Sequence, residues 1–249
     1  MIALRAPLAA VALALISTAH AQQENARDSA AATFVPWLLQ GKEELSQMPF
    51  SDVIHYATGK KVLAIDRDDA DDARVLKQVG AALEQVLQRM NAPDSPVQSV
   101  ARINEVSAPF ENMLRDVLNE TEGFSCDFAK TAGDKVQRSG YPDLRLVDGA
   151  TKRVYYLDPK LFAKNSRDSS FRSFYFEPKV ATNKVRDDAV HLILGIEHEG
   201  RKAGHWHFSR WDIVDLSSFK VRLKAEFQGS NRDMYRKEAI VASGSAAEE

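Results

Sequence analysis

The stretch "YPDLRLVDGATKRVYYLDPK", residues 141 to 160, constrains the fold more than any other part of the chain. Two apolar runs flank Asp148-Gly149, a turn signal, so the pattern predicts an antiparallel hairpin with strands at about 143–147 and 153–161. Side chains alternate along a strand, which puts Val154, Tyr156, Asp158 and Lys160 on one face. A turn centred between Ala150 and Thr151 sets Asp143 directly opposite Asp158, with Cβ atoms roughly 5 Å apart.

Like charges in that position repel unless something sits between them. A divalent cation is the natural occupant, and an oxygen-only pair suits a hard ion such as Mg²⁺, which takes one or two carboxylates and keeps several waters. Lys160, one step along the same face, holds an ammonium where it could orient such a water or help to deprotonate it. A surface hairpin with its charges turned to solvent is the simpler alternative. The residues flanking these charges are apolar on both faces, which argues for a covered strand.

In this context the stretch resembles the PD-(D/E)xK nuclease superfamily. Pro142-Asp143 matches the first half of that motif, and Asp158-Pro159-Lys160 matches D-x-K on the following strand. The resemblance also implies an acidic residue from a helix just upstream. Glu111 in "SAPFENMLRDVLNE" is the candidate, on a helix whose buried stripe is Phe110, Met113, Leu114, Val117 and Leu118. A solvated glutamate near a helix N-terminus explains Glu111 equally well. Pro159 occupies the x position, where the family uses a backbone carbonyl; proline keeps that carbonyl but lacks the N–H for one ladder bond. The resemblance covers about residues 100–180. It implies an α/β (α+β) fold with a restriction-endonuclease-like mixed central sheet flanked by helices, preceded by an N-terminal helical extension.

The chain opens on "MIALRAPLAAVALALISTAHAQQENA", which reads as a secretory signal. Arg5 is the positive start, Pro7 to Ile16 the apolar stretch, and Ala19-His20-Ala21 the cleavage site, so a signal peptide over 1–21 and a periplasmic or secreted product are expected. No later run approaches the roughly 20 apolar residues a membrane span needs, so no membrane association is expected after cleavage. Cys126 is the only cysteine, so no intrachain disulfide can form and a core must hold the fold. With 44% hydrophobic residues in 249, such a core is affordable. The formal charge of −2 neither requires nor excludes a nucleic-acid partner.

Further along, "FVPWLLQGKEELSQMPFSDVIHYATG" predicts two short helices, the second stopped by Gly59. "KKVLAI" predicts a brief strand. A long helix follows through Val75, Val79, Leu83, Val86 and Met90, and the acids at its start compensate the helix dipole. These segments make an extension over 22–99. A nuclease-like core is expected over 100–240 and a disordered tail over 241–249. "SSFRSFYFEP", "AVHLILGIEHE", "HWHFSRWDIVDL" and "FKVRLKAEFQ" each predict a strand.

The expected activity is that of an exported, metal-dependent nuclease acting on phosphodiesters, with DNA as partner by resemblance. Asp143, Asp158 and Glu111 would hold Mg²⁺ or Mn²⁺, with Lys160 as the fourth member of the catalytic set. Arg172, Arg210, Arg232 and Tyr235 are candidates for contacting nucleic acid, though a solvated sheet face explains such residues as easily. Two other readings stand beside this one. The chain could be a catalytically inactive periplasmic binding or interaction protein of the same fold. It could also bind metal through His198, His205 and His207 in "GIEHEGRKAGHWH".

Overall fold

The structure, a computed structural model, describes residues 31–41, 44–171 and 173–245. The expected signal peptide over 1–21 and the last residues of the tail lie outside these. Among the described residues, no helix is long and apolar enough to cross a membrane.

By its internal contacts the chain forms two compact units, one over Met48–Val221 and the other from the two flanking ends. No division falls near residue 100, because the long helix expected in an N-terminal extension packs into the same core as the hairpin. In the flanking unit residues 31–40 are helical (α1). Phe34 and Trp37 of α1 stack with ring centroids 5.7 Å apart, and Leu223 N–H donates to the Leu45 carbonyl at 2.7 Å.

The larger unit begins with β1 (Met48–Pro49) and α2 (Phe50–Thr58), which Gly59 ends in a left-handed conformation at φ 72°. β2 (Val62–Leu63), α3 (Ala70–Asn91) and α4 (Ser107–Glu120) follow. Then come β3 (Phe124–Phe128), β4 (Leu144–Asp148), β5 (Val154–Ala163), β6 (Ala189–Lys202), β7 (His205–Asp215) and β8 (Lys220–Val221). A short helix, α5 (Asn231–Met234), lies in the flanking unit. The main sheet runs β2-β6-β5-β4-β3, with β7 also paired to β6. The β5–β6 and β2–β6 ladders are parallel and the others antiparallel, so this is the expected mixed, restriction-endonuclease-like α+β sheet with helices against it.

The hairpin holds the register read from its turn. Leu144 pairs with Leu157, Arg145 with Tyr156, Leu146 with Tyr155 and Val147 with Val154, which carries Asp143 to the position facing Asp158. The Asp148 carboxylate shapes the turn, accepting from the Thr151 N–H at 3.1 Å and its hydroxyl at 2.6 Å. Gly149 is required there: its N–H donates to the Gly123 carbonyl at 2.6 Å, and a Cβ would meet that oxygen at 2.8 Å. β5 runs unbroken through Pro159, which pairs with Leu194 of β6.

Both faces of the sheet are covered, as the apolar flanks implied. Leu144, Leu146, Tyr155, Leu157, Leu192 and Leu194 point into a core with Val79, Leu83 and Val86 of α3 and Phe110, Leu114 and Leu118 of α4. Cys126 is buried in the same core. On the opposite face Val154, Tyr156, Val147 and Ile193 meet Phe50 and Ile54 of α2 and Val185. The acids at the start of the long helix serve packing and capping. Asp69 caps α3 through the Asp71 and Asp72 N–H groups, while buried Asp72 takes Arg153 and the Tyr155 hydroxyl (3.1 Å) from the hairpin.

Two local expectations fail, and one strand is additional. "SSFRSFYFEP" is not a strand: the described residues of 164–188 are irregular and pair with no strand, although Phe174 and Phe176 turn inward onto Phe50 while Ser173 and Tyr175 are exposed. "FKVRLKAEFQ" forms only the two-residue β8, paired with β1 outside the main sheet. β3 was not anticipated, although Phe124, Cys126 and Phe128 alternate with Ser125 and Asp127 along it.

Candidate active site

Asp143, Asp158 and Lys160 converge on the sheet face that carries α2, where the apolar cluster gives way to charge. Asp158 and Lys160 are two apart on β5, and Asp143 sits one residue before β4, its carbonyl accepting from the Ala129 N–H at 3.0 Å. The Asp158 carboxylate is buried, and Lys160 Nζ lies 2.7 Å from its Oδ2. Burial and then the neighbouring Asp158 push the Asp143 carboxyl up to about 8, against the pull of Lys160. Burial opposes the charge on Lys160, but Asp158 and then Asp143 more than offset it and hold the ammonium above its ordinary range.

Glu111 stands at the edge of this group. Its Oε2 accepts from Arg138 at 2.7 Å, and Arg138 also reaches the Ala108 carbonyl and Asn112. It is close enough to contribute to the raised Asp143 carboxyl. Among the described residues, however, no three His, Cys, Asp or Glu side chains gather closely enough to hold one ion. The resemblance implied Glu111 as a metal ligand; here its carboxylate is engaged by arginine.

Sequence reasoning missed two neighbours. Lys184, in the irregular segment after β5, is 2% exposed; its Nζ donates to the Gln137 carbonyl at 3.0 Å. Burial depresses its ammonium while Asp143, Asp158 and Glu111 attract it, so it lies within their field. No periodicity marks "ATNKVRDD", and nothing in it distinguishes this lysine from a surface one. Tyr141 packs beneath the pair, its hydroxyl 2.7 Å from Nδ1 of His191. Burial, and then Asp158, raise the phenol well above its usual range.

Comparison with known proteins accords with this geometry. Residues 44–238 match the type II restriction enzyme MjaV family, most of the chain. A 215-residue alignment with the type II restriction enzyme MjaV of Methanocaldococcus jannaschii is 30% identical and covers 82% of this chain and 92% of that protein. The chain belongs to the type II restriction enzyme MjaV family.

In this member of the MjaV family the donor chemistry fits a hard divalent cation. Oδ2 of Asp158 is a buried carboxylate oxygen held by the Lys160 ammonium at 2.7 Å. Opposite it stands a second carboxyl that burial and repulsion keep from ionising. Both oxygens gain from a cation between them.

The histidine hairpin does not converge. His198 meets the edge of Trp206, with centroids 5.7 Å apart, His205 is exposed opposite Lys202, and the nearby Glu199 is taken by Lys164 (2.8 Å) and Lys202. Of the candidate nucleic-acid contacts, Arg172 lies outside the described residues. Arg210 is exposed and paired to Asp212 at 3.0 Å. Arg232 and Tyr235 are exposed on the flanking unit, in and just after α5.

Proposed function

We propose that the protein is a PD-(D/E)xK-type, divalent-metal-dependent endonuclease that hydrolyses phosphodiester bonds in DNA. The observation that carries this reading is the facing Asp143–Asp158 pair with Lys160 ion-paired beside it, within a chain of a restriction enzyme family. Asp143 and Asp158 would hold Mg²⁺ or Mn²⁺, which when bound polarises the scissile phosphate and acidifies its water. Glu111 would join through a water rather than directly, with Arg138 as its standing partner.

The chain's own groups do the rest. Lys160 is tethered to Asp158, so its remaining N–H donors face the pocket at little cost in rotamer entropy. One aims at the attacking water or at a non-bridging phosphate oxygen, where negative charge builds as water attacks phosphorus in line and the bond to the leaving oxygen breaks. Buried Tyr156 and Leu157, and the β6 ladder beside them, hold Asp158 in place from both sides. The amino-terminal sequence pattern supports export of this enzyme, and Edman sequencing of the mature protein from a periplasmic fraction, starting at Gln22, would bear that out.

The test of activity is incubation of the purified protein with supercoiled plasmid and single-stranded DNA in Mg²⁺, Mn²⁺ or EDTA. Nicked or linear plasmid should form only with a divalent ion. No cleavage under any ion would leave the binding-protein reading in its place.

A further inference from the structure

A second polar concavity adjoins the carboxylate pair. It has a volume of about 310 Å³ and is walled by Asp127, Phe128, Lys130, Arg145, Lys184, Arg186 and Asp187. We infer that this pocket binds a backbone phosphate of the DNA strand next to the one cleaved, with Lys184 as the group shared between the two sites. The inference rests on the nuclease reading and adds to it where the strand is gripped.

Position is the first ground. Asp127 pairs with Arg145 across the β3–β4 ladder, and Ala129 donates to the Asp143 carbonyl, so Lys130 follows the residue bonded to Asp143. Neighbouring strands are about 4.8 Å apart. A DNA strand carries one phosphate for about every 3.4 Å of helix axis. A pocket one ladder spacing from Asp143 therefore lies within a few nucleotides of a phosphate at the carboxylates.

Charge is the second. Arg145 is committed to the fold, donating to both oxygens of Asp187 at 2.8 and 2.9 Å, while Asp187 also takes the Tyr156 hydroxyl. Arg186 is different: its ion partner is Asp134, whose side chain is 75% exposed, and an exposed pair of that kind contributes little. Lys130 is exposed at the rim. Lys184 is the decisive residue. Its Nζ makes no ion pair among the described residues, donating to the Gln137 carbonyl at 3.0 Å, while Asp143, Asp158 and Glu111 attract it from further off. A phosphate in the pocket would give this buried ammonium a direct anionic partner. Beyond the Phe128 wall, the Arg115 and Arg138 guanidinium groups lie over the ring at 4.8 and 4.3 Å, each paired to a carboxylate of α4, and they fix that wall rather than add free charge.

The test measures binding apart from cleavage. Full-length protein is titrated into a fluorescent DNA duplex in EDTA, by anisotropy, across a series of salt concentrations. Lys130→Ala and Arg186→Ala alter exposed side chains, and Lys184→Met keeps the buried volume; thermal melts confirm that each is folded. Each should weaken binding about five- to tenfold at moderate salt and lower the slope of log affinity against log salt by about 1, while Arg89→Ala on α3 should leave both unchanged. Wild-type binding with unaltered affinity and slope in Lys130→Ala and Arg186→Ala would overturn the pocket and leave the nuclease reading standing. Absence of duplex binding by the wild-type protein at any salt would overturn both.

Discussion

At the scale of single residues, the two aspartates are not equivalent, and their variants should differ. Asp158 is the counter-ion of Lys160, whereas Asp143 carries the cost of burial and repulsion. Asp143→Asn should therefore raise the stability of the metal-free protein by about 1–3 kcal/mol. Asp158→Asn should not, since it leaves a half-buried ammonium without its partner. Urea denaturation in EDTA distinguishes them, and equal gains from both would contradict the asymmetry. Both should abolish cleavage. Lys160→Ala should keep the fold and divalent-ion binding, measured by calorimetry, yet lower cleavage of plasmid by roughly 10²-fold or more, the scale of losing a group that stabilises the reacting charge. Loss of ion binding in Lys160→Ala would mean that the lysine orders the carboxylates rather than the reaction.

At the scale of elements, the hairpin was legible because turn chemistry and period-2 alternation agreed, and those two signals alone specify register. The segment over 164–188 was not. Its alternation is kept, with Phe174 and Phe176 turned onto Phe50 and Ser173 and Tyr175 exposed, but among the described residues no strand pairs with it, and whether a partner ladder is there is decided by distant segments. Gly80 makes a similar point within α3. A glycine in mid-helix costs about 1 kcal/mol relative to alanine, yet its missing Cβ lets α3 approach Trp211 of β7, whose ring a Cβ would meet at 3.0 Å. Gly80→Ala should thus lose more to overpacking than it gains in helix propensity, with a net destabilisation of about 1 kcal/mol by urea denaturation. A more stable variant would show that the indole yields.

At the scale of the whole molecule, the sheet keeps two cores of different character. The core under α3 and α4 is almost wholly apolar. The one under α2 holds His191, fully buried between Phe50, Tyr141 and Tyr156, with Nε2 lacking a hydrogen-bond partner. Burial lowers its pKa to about 4 against the attraction of Asp215. The unfolded chain, with an ordinary histidine near 6.5, binds a proton between these values and the folded protein does not. The stabilising contribution is complete above pH 6.5 and falls as pH drops toward 4, by about 1.4 kcal/mol per unit and about 3 kcal/mol in all. Asp143, with its raised carboxyl, contributes a slope of opposite sign over the same range, so the reading is the difference between proteins: the stability of His191→Phe relative to wild type should rise by about 1.4 kcal/mol per pH unit as pH falls through that window, from urea midpoints at pH 7, 5.5 and 4.5. The same slope in wild type and variant would assign the acid sensitivity elsewhere.

The sequence by itself determined what depends on neighbours along the chain. Alternation and the Asp148-Gly149 turn set Asp143 against Asp158. The period of α4 oriented its buried stripe, and the acids of α3 declared a helix start. Only the tertiary structure decided what depends on distant segments meeting. It placed Lys184 inside the field of the carboxylates, gave Glu111 to Arg138, and folded α3 into the same core as the hairpin rather than into a separate extension. The physical reason is that hydrogen-bonded turns and side-chain periodicity act over a few residues. Burial and ion pairing act over a few ångströms, whichever residues the chain brings there.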